Sequence, residues 1–390
     1  MRGKMRFAAL CVALALFPGT ALAATQVPLE AEVPLELSCP SAILMEASTG
    51  RVIFEKDADA PRPVASVTKV MTILLTLEAL EQGTISLDDR VVVSENAAGM
   101  GGSQALLDAN SAYRLEDLLK STIVASANDS AVALAEHIAG AQEVFVARMN
   151  ARARELGLDN THYVNCTGLP AEGQYTTARD VATLSRELDR FPLYYTYSTI
   201  WMDQITHGGG RVTDLTNTNR LIRFYDGCDG YKTGSTNEAR YCVSATAKRG
   251  TLRLIAVVLG APAGQTRFDE ARKMLDYGFA NYRMATLVPE GADLDMRVAV
   301  RLGTRDDVGA VAGEEIALLT RASGEGALNI EVALPESLDA PVRQGEPIGE
   351  IRVLQDGEVV ARAPAVAAES VGMPGMIESL LRIFENWRVG

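Results

Sequence analysis

The sequence predicts a mixed α/β (α+β) fold in two domains followed by one amphipathic helix, and three observations carry this. Strand-like and helix-like stretches interleave over residues 40–286. From 287 to 370 the pattern changes to short strands separated by Gly, Pro and Asp turns. A length of 390 residues suits two domains and a large core, and 47% hydrophobic with 22% charged residues suits a globular chain.

Residues 41–47 and 49–55 read as two strands joined by a turn at Gly50. Residues 64–83 have helical spacing: Val67, Val70, Met71, Leu74, Leu77 and Leu80 recur at threes and fours, and Gly83 is a stop. Ser66 falls at the start of that helix. Residues 115–139 are also helical, with Ser126-Ala127-Asn128 interrupting them. A third helix covers 143–156 and ends at Gly157; a fourth covers 177–188, with Thr177 as its cap. Residues 230–235, 241–248 and 252–260 read as consecutive strands, turning at Asn237-Glu238 and Arg249-Gly250. Residues 268–282 return to helix. The expected architecture is an antiparallel sheet with helices, then a small all-β domain at 287–370 that shows no clustered chemistry.

The two ends read differently. Residues 1–23 have the form of an export signal: Arg2, Lys4 and Arg6, an apolar run at 7–17, then Ala21-Leu22-Ala23 as a cleavage site. Residues 24–39 read as an extended leader. At the other end, residues 371–390 form an amphipathic segment. Met373, Met376, Ile377, Leu380, Leu381, Phe384 and Trp387 share one helical face. It is too short and too charged to cross a bilayer, so the expectation is an anchor lying in the membrane surface, against a terminal helix packed on the protein.

The chain carries 37 basic and 50 acidic residues, net −13; losing Arg2, Lys4 and Arg6 leaves 34 against 50, net −16. Such a surface excludes nucleic acid as a partner, which needs a basic footprint. Cys11 lies in the signal. Cys39, Cys166, Cys228 and Cys242 remain, an even number in an exported chain. Cys228 and Cys242 flank a strand turn and form a disulfide candidate, with free buried thiols as the alternative.

Ser66-Val67-Thr68-Lys69, Ser126-Ala127-Asn128 and Lys232-Thr233-Gly234 occur in that order. Each is weak alone; the ordered set is the pattern of a serine acyl-transfer site with lysine as base. Ser66 and Lys69, three apart on a helix, share a face. The helix start favours a developing anion. Lysine acts as a base only if its pKa falls well below about 10.4; a nearby positive charge and partial burial both push that way, and Lys232 can supply the charge. Ser126 is placed to relay a proton, Asn128 to hold Lys69 and a substrate amide, Thr233 to donate a hydroxyl, and Gly234 to allow close backbone approach. The three histidines, His137, His162 and His207, pair with no serine at a recognised spacing. His207-Gly208-Gly209-Gly210 has no Gly-x-Ser-x-Gly partner, and Gly101-Gly102-Ser103 reads as a turn. No zinc spacing occurs, and no metal or cofactor is expected.

These motifs resemble the low-molecular-mass penicillin-binding proteins, specifically the serine D-alanyl-D-alanine carboxypeptidases. The likeness extends to residues 41–50, 63–69, 126–136, 175–180 and 230–236. The resemblance covers roughly 40–282, with the β-rich segment and final helix looking like that family's C-terminal domain and membrane anchor. It implies a β-lactamase/transpeptidase-like domain and removal of the terminal D-Ala from peptidoglycan stem peptides, with covalent inhibition by β-lactams. The site would lie outside the cytoplasm: the outer face of the cytoplasmic membrane, the cell wall or the periplasm. It further implies Ser66 as the acylated nucleophile, Lys69 as base, and Ser126, Asn128 and Lys232 lining the site. Thr233 would meet the substrate carboxylate, the N–H groups of Ser66 and Ser235 would form the oxyanion hole, and Arg267 would help hold the carboxylate. Two positions depart from the family pattern: Thr218, where an arginine can stand, and Ser235, where histidine is frequent. A β-lactamase on the same fold lacks support, because the stretch after Ser126-Ala127-Asn128 lacks the Glu-x-x-x-Asn pattern such enzymes show. A D,D-endopeptidase and a non-catalytic wall-binding protein are the remaining alternatives.

Overall fold

The computed structural model describes residues 6–9, 35–322, 328–355 and 357–375. The chain divides into two compact units, one of residues 31–281 and one of residues 1–30 with 282–390.

The first unit is built on a five-stranded antiparallel sheet. Its strands are β1 (Ser41–Glu46), β2 (Val52–Lys56), β3 (Cys228–Thr236), β4 (Arg240–Arg249) and β5 (Leu252–Ala261), in the spatial order β2-β1-β5-β4-β3. The central strands β1 and β5 are buried along nearly their whole length. They read as continuous apolar runs because both faces of the sheet are covered. The helices are α1 (Lys69–Glu81), α2 (Leu115–Val124), α3 (Asn128–Ala139), α4 (Gln142–Glu155), α5 (Ala178–Glu187) and α6 (Thr266–Asn281). Gly278 of α6 sits against Leu44 and Leu254, so that only a glycine lets the helix lie so close. Ser185 of α5 bonds Ser244, 2.8 Å away, on the opposite face.

Helix α1 runs through the middle of the helical part. Val70, Met71, Ile73, Leu74 and Leu77 are buried, and so are Lys69, Thr72 and Thr76. A helix buried all round must satisfy its polar groups internally. Thr72 donates to the Cys166 carbonyl at 2.7 Å, and Thr76 to the Thr72 carbonyl at 2.8 Å. Thr177 caps α5 as the sequence predicts, its hydroxyl accepting from Asp180 N–H at 3.0 Å.

The second unit is β-rich, with strands at Asp293–Arg301, Asp307–Ala312, Leu328–Leu334, Pro347–Gln355 and Glu358–Ala367 around a core that includes Val298, Val308, Ile351, Val353 and Ala365. It begins earlier than the expected 287. Tyr282–Val288 is a strand paired with Ile316–Arg321, whereas the sequence reads helix up to 282. Its Tyr-Arg-Met-Ala-Thr-Leu-Val run has no breaker after the preceding helix, so the switch of period is silent locally. Residues Arg6–Ala9 pair antiparallel with Leu328–Leu334 at the sheet edge. The rest of the expected signal (1–23), and the leader up to residue 34, lie outside the described residues. So does the expected amphipathic helix, 371–390, from residue 376 on; its described start, 371–375, is not helical, and Val371 bridges Val342. Among the described residues no helix is long and apolar enough to cross a membrane.

Candidate active site

Ser66 stands on a 3-10 turn, Ala65–Thr68, that runs directly into α1. The sequence spacing reads one continuous helix here; the structure tightens its first turn. Ala65 has φ +49, a left-handed conformation that costs a non-glycine residue about 1–2 kcal/mol. Two glycine backbones clamp this turn. A Cβ on Gly234 would overlap the Val64 carbonyl and stand 2.9 Å from Ser66 N. A Cβ on Gly168, at φ +82, would overlap the Ala65 carbonyl and also stand 2.9 Å from Ser66 N. The edge strand β3 therefore lies against the backbone of Ser66.

Lys69 is fully buried at the first position of α1. Its Nζ lies 2.9 Å from Ser66 Oγ and donates to the Thr167 carbonyl at 2.7 Å. Burial pushes its pKa down to about 7, against the opposing pull of Cys166 and Asp129. A neutral amine here can donate to Thr167 and accept the Ser66 hydroxyl proton. Of the two expected causes, burial is the leading one.

Lys232, on β3, is 1% exposed, and Nζ reaches the Thr233 carbonyl at 3.2 Å. Burial first, then repulsion by Lys69 and Arg267, holds its pKa well below the usual lysine value. Two buried ammonium groups this close do not both stay charged, so their titrations are linked.

Ser126 sits between α2 and α3 at φ +63, and Asn128 opens α3. Both are 3% exposed. Ser126 Oγ and Asn128 Oδ1 make no hydrogen bond within the described residues. Unpaired buried oxygens are costly in a core and useful in a site. Asn128 does not bind Lys69, which the sequence leads one to expect. Its Nδ2 donates to the Gly101 carbonyl at 2.6 Å and its N–H to the Ser103 carbonyl at 2.7 Å. Gly101-Gly102-Ser103 is thus a loop held over the start of α3, and Asp129 fastens its continuation by accepting from Ala105 and Leu107 N–H.

Thr233 is buried and donates to Thr218 Oγ1 at 2.7 Å. Arg267, at the start of α6, donates through Nη1 to the carbonyls of Gly234 (2.9 Å) and Cys242 (3.2 Å), and its guanidinium lies over the Tyr241 and Phe268 rings. Because the Gly234 carbonyl faces Arg267, the N–H of the same planar peptide, that of Ser235, points the opposite way. Ser66, Lys69, Lys232, Thr233, Gly234, Ser235 and Arg267 are linked by these contacts. Ser126 and Asn128 stand on the neighbouring α2–α3 corner.

Sequence reasoning misses the segment 165–168. Asn165 Oδ1 accepts from Thr167 N, Thr167 Oγ1 and Gly168 N at 3.1, 3.0 and 2.7 Å, fixing the carbonyl that holds Lys69. Asn165 to Pro170 carries only an ordinary turn signal, Gly-Leu-Pro, 98 positions from the lysine it serves.

The Cys228–Cys242 disulfide is overturned. Cys228 pairs in register with Ala247 and Cys242 with Gly234, so the two lie at different levels of the β3–β4 ladder. All four described cysteines are free and buried. Burial raises the Cys166 thiol to about 12, which keeps it unreactive. His207 is engaged by Tyr113 and Thr213 at 2.8 Å each, so it belongs to a structural network.

The likenesses to known proteins follow the same pattern. A family profile for D-alanyl-D-alanine carboxypeptidases matches residues 27–263, and one for the C-terminal domain of penicillin-binding protein 5 matches 282–372. The D-alanyl-D-alanine carboxypeptidase DacF of Bacillus subtilis is 39% identical over 349 residues, covering 89% of each chain. DacC of Escherichia coli is 33% identical over 387 residues, covering 96% of this chain and 94% of its own. Penicillin-binding protein 5 from Haemophilus influenzae superposes with a TM-score of 0.74 at 30% identity, over 87% of this chain and 99% of that one.

Proposed function

The chain belongs to the family of D-alanyl-D-alanine carboxypeptidases, and we propose that Ser66 and Lys69 carry out its reaction, releasing the terminal D-Ala of peptidoglycan stem pentapeptides through an acyl-enzyme. It is a serine hydrolase of the penicillin-binding fold, and β-lactams acylate the same serine. The observation that carries the assignment is a fully buried lysine, held near neutral pKa, 2.9 Å from Ser66 Oγ.

Neutral Lys69 takes the Ser66 proton as Oγ adds to the carbonyl of the penultimate D-Ala. The resulting oxyanion is met by the N–H groups of Ser66 and Ser235, which flank the Gly234 contact. Collapse breaks the peptide bond; the departing D-Ala amine takes a proton through Ser126, and water then hydrolyses the ester. Thr233, with Thr218 and Arg267 behind it, receives the terminal carboxylate. That anion also holds Lys232 in its charged form. Repulsion then favours the neutral form of Lys69, so substrate binding itself assigns the base. Asn128 holds the substrate amide.

Release of D-Ala from a pentapeptide, compared with cleavage of a crosslinked peptide dimer, tests the assignment: the pentapeptide should turn over faster. Faster cleavage of the dimer would instead make the protein an endopeptidase, like its 31% identical relative in Escherichia coli.

Gly234→Ala should lower the rate of penicillin acylation by about 100-fold, the scale of a displacement of ~1 Å between reacting groups. The added methyl has nowhere to go except by moving β3 off the Ser66 turn. An unchanged acylation rate would refute this clamp.

The family acts at the cell wall and periplasm. We place this chain there by an export signal at 1–23, and on the outer face of the cytoplasmic membrane by the amphipathic segment 371–390. Ending the chain after Gly372 keeps the Thr304–Gly372 hydrogen bond of 2.8 Å. That truncation should leave the membrane fraction while retaining full acylation by penicillin, and salt should not release the intact protein, because apolar burial dominates. Equal partitioning of both forms would mean that the segment is no anchor.

A further inference from the structure

Resting on the carboxypeptidase reading, we infer that Arg240 binds a carboxylate of the stem peptide upstream of the scissile bond, and so sets which peptides are preferred.

The direction of the substrate follows from the site. Its terminal carboxylate lies at Thr233 and its reacting carbonyl at the N–H of Ser235, so the peptide runs back along β3 towards Thr236. Extended chain advances about 3.3 Å per residue. The one or two residues before the acylated D-Ala therefore reach the end of β3 and the turn that follows.

A cavity of about 320 Å³ opens there, lined by Ser235, Thr236, Asn237, Arg240, Tyr241 and Pro262. Arg240 is its one charged lining residue, in a chain of net charge −13. The side chain is exposed, and its hydrogen bond to the protein is a long one, Nη2 to the Pro262 carbonyl at 3.5 Å. Its backbone has φ +56. Glycine adopts that conformation freely and a long side chain does not. A strained position that carries a guanidinium, free to face a cavity on the substrate's path, is suited to a carboxylate, which it can grip with two hydrogen bonds. Glu238, also in the turn, lines an adjoining small pocket with Gly168 and Leu169, the two pockets sharing Thr236.

Two carboxylates are within chemical reach of such a site. One is on the side chain of a third residue that is a diamino dicarboxylic acid. The other is the free α-carboxylate of a γ-linked glutamate at the second position. Four pentapeptides separate them: diaminopimelate or lysine at the third position, each with the glutamate free or amidated. With the full-length protein, kcat/KM for D-Ala release should be about 3- to 10-fold higher for peptides bearing the recognised carboxylate. Arg240→Gly should erase that ratio, and Arg240→Lys should keep part of it. Penicillin acylation, and D-Ala release from a short acyl-D-Ala-D-Ala, should stay within about twofold of wild type in both variants, which shows the site intact. A ratio unchanged in Arg240→Gly, or a wild type indifferent to both carboxylates, overturns the inference while leaving the carboxypeptidase assignment standing. A wild type that takes up penicillin on no residue and releases D-Ala from none of the peptides would overturn that assignment, and this inference with it.

Discussion

Ser66→Ala is expected to abolish both acylation by penicillin and release of D-Ala. In the proposed mechanism the Ser66 hydroxyl forms the acyl bond, and loss of a nucleophile that acts as one unit with its base costs on the order of 10⁶-fold. Folding should survive. Ser66 is half-buried, and among the described residues its side chain bonds Lys69 Nζ, which retains the Thr167 carbonyl. The clamp by Gly168 and Gly234 is made with backbone and is indifferent to the side chain. Gel fluorescence after labelling with a fluorescent penicillin, alongside thermal melting of both proteins, makes the measurement. Stoichiometric labelling of a folded Ser66→Ala protein would place the nucleophile elsewhere.

Lys69→Met should lower acylation by about 10²–10⁴-fold, the worth of general-base help. Methionine nearly preserves the volume, which keeps a cavity from confounding the result. The pH dependence supplies a second readout. Burial holds Lys69 at about 7, and only the neutral amine accepts a proton. Wild-type acylation should therefore rise with pH through about 7 and level off above it. Below that value the charged fraction grows and the rate falls, up to tenfold per pH unit. The midpoint belongs to the linked Lys69–Lys232 pair rather than to one lysine. In Lys69→Met the rise should vanish. The same pH profile in both proteins would remove Lys69 from the role of base.

Much of the site is legible in the amino-acid sequence. The three motifs name Ser66, Lys69, Ser126, Asn128, Lys232, Thr233 and Gly234, because the chemistry demands particular side chains at short spacings. Helix α1 is legible from its period, and α5 from its cap. The β3–β4–β5 meander is legible from apolar runs separated by turn residues. Other features are not. Whether Cys228 meets Cys242 depends on the register of β3 against β4, and flanking a turn does not specify register. The start of the second unit at Tyr282 is hidden because no breaker separates strand from helix there.

Local residue patterns point to the reaction class, to Ser66 and Lys69 as the proposed nucleophile and base, and to the order of strands and helices around them. Each motif is itself short, and the order of the three along the chain carries the reading. What suits Lys69 to the proposed role of base emerges only when the chain is folded. Its pKa comes from complete burial, and its position from a carbonyl 98 residues away that Asn165 holds in place. The close fit of Gly168 and Gly234 around the Ser66 turn also belongs to the folded chain, as does the left-handed Arg240 beside the cavity at the end of β3. One physical reason covers all of them. Desolvation and close backbone approach depend on which distant segments pack together, and no local pattern of residues encodes that.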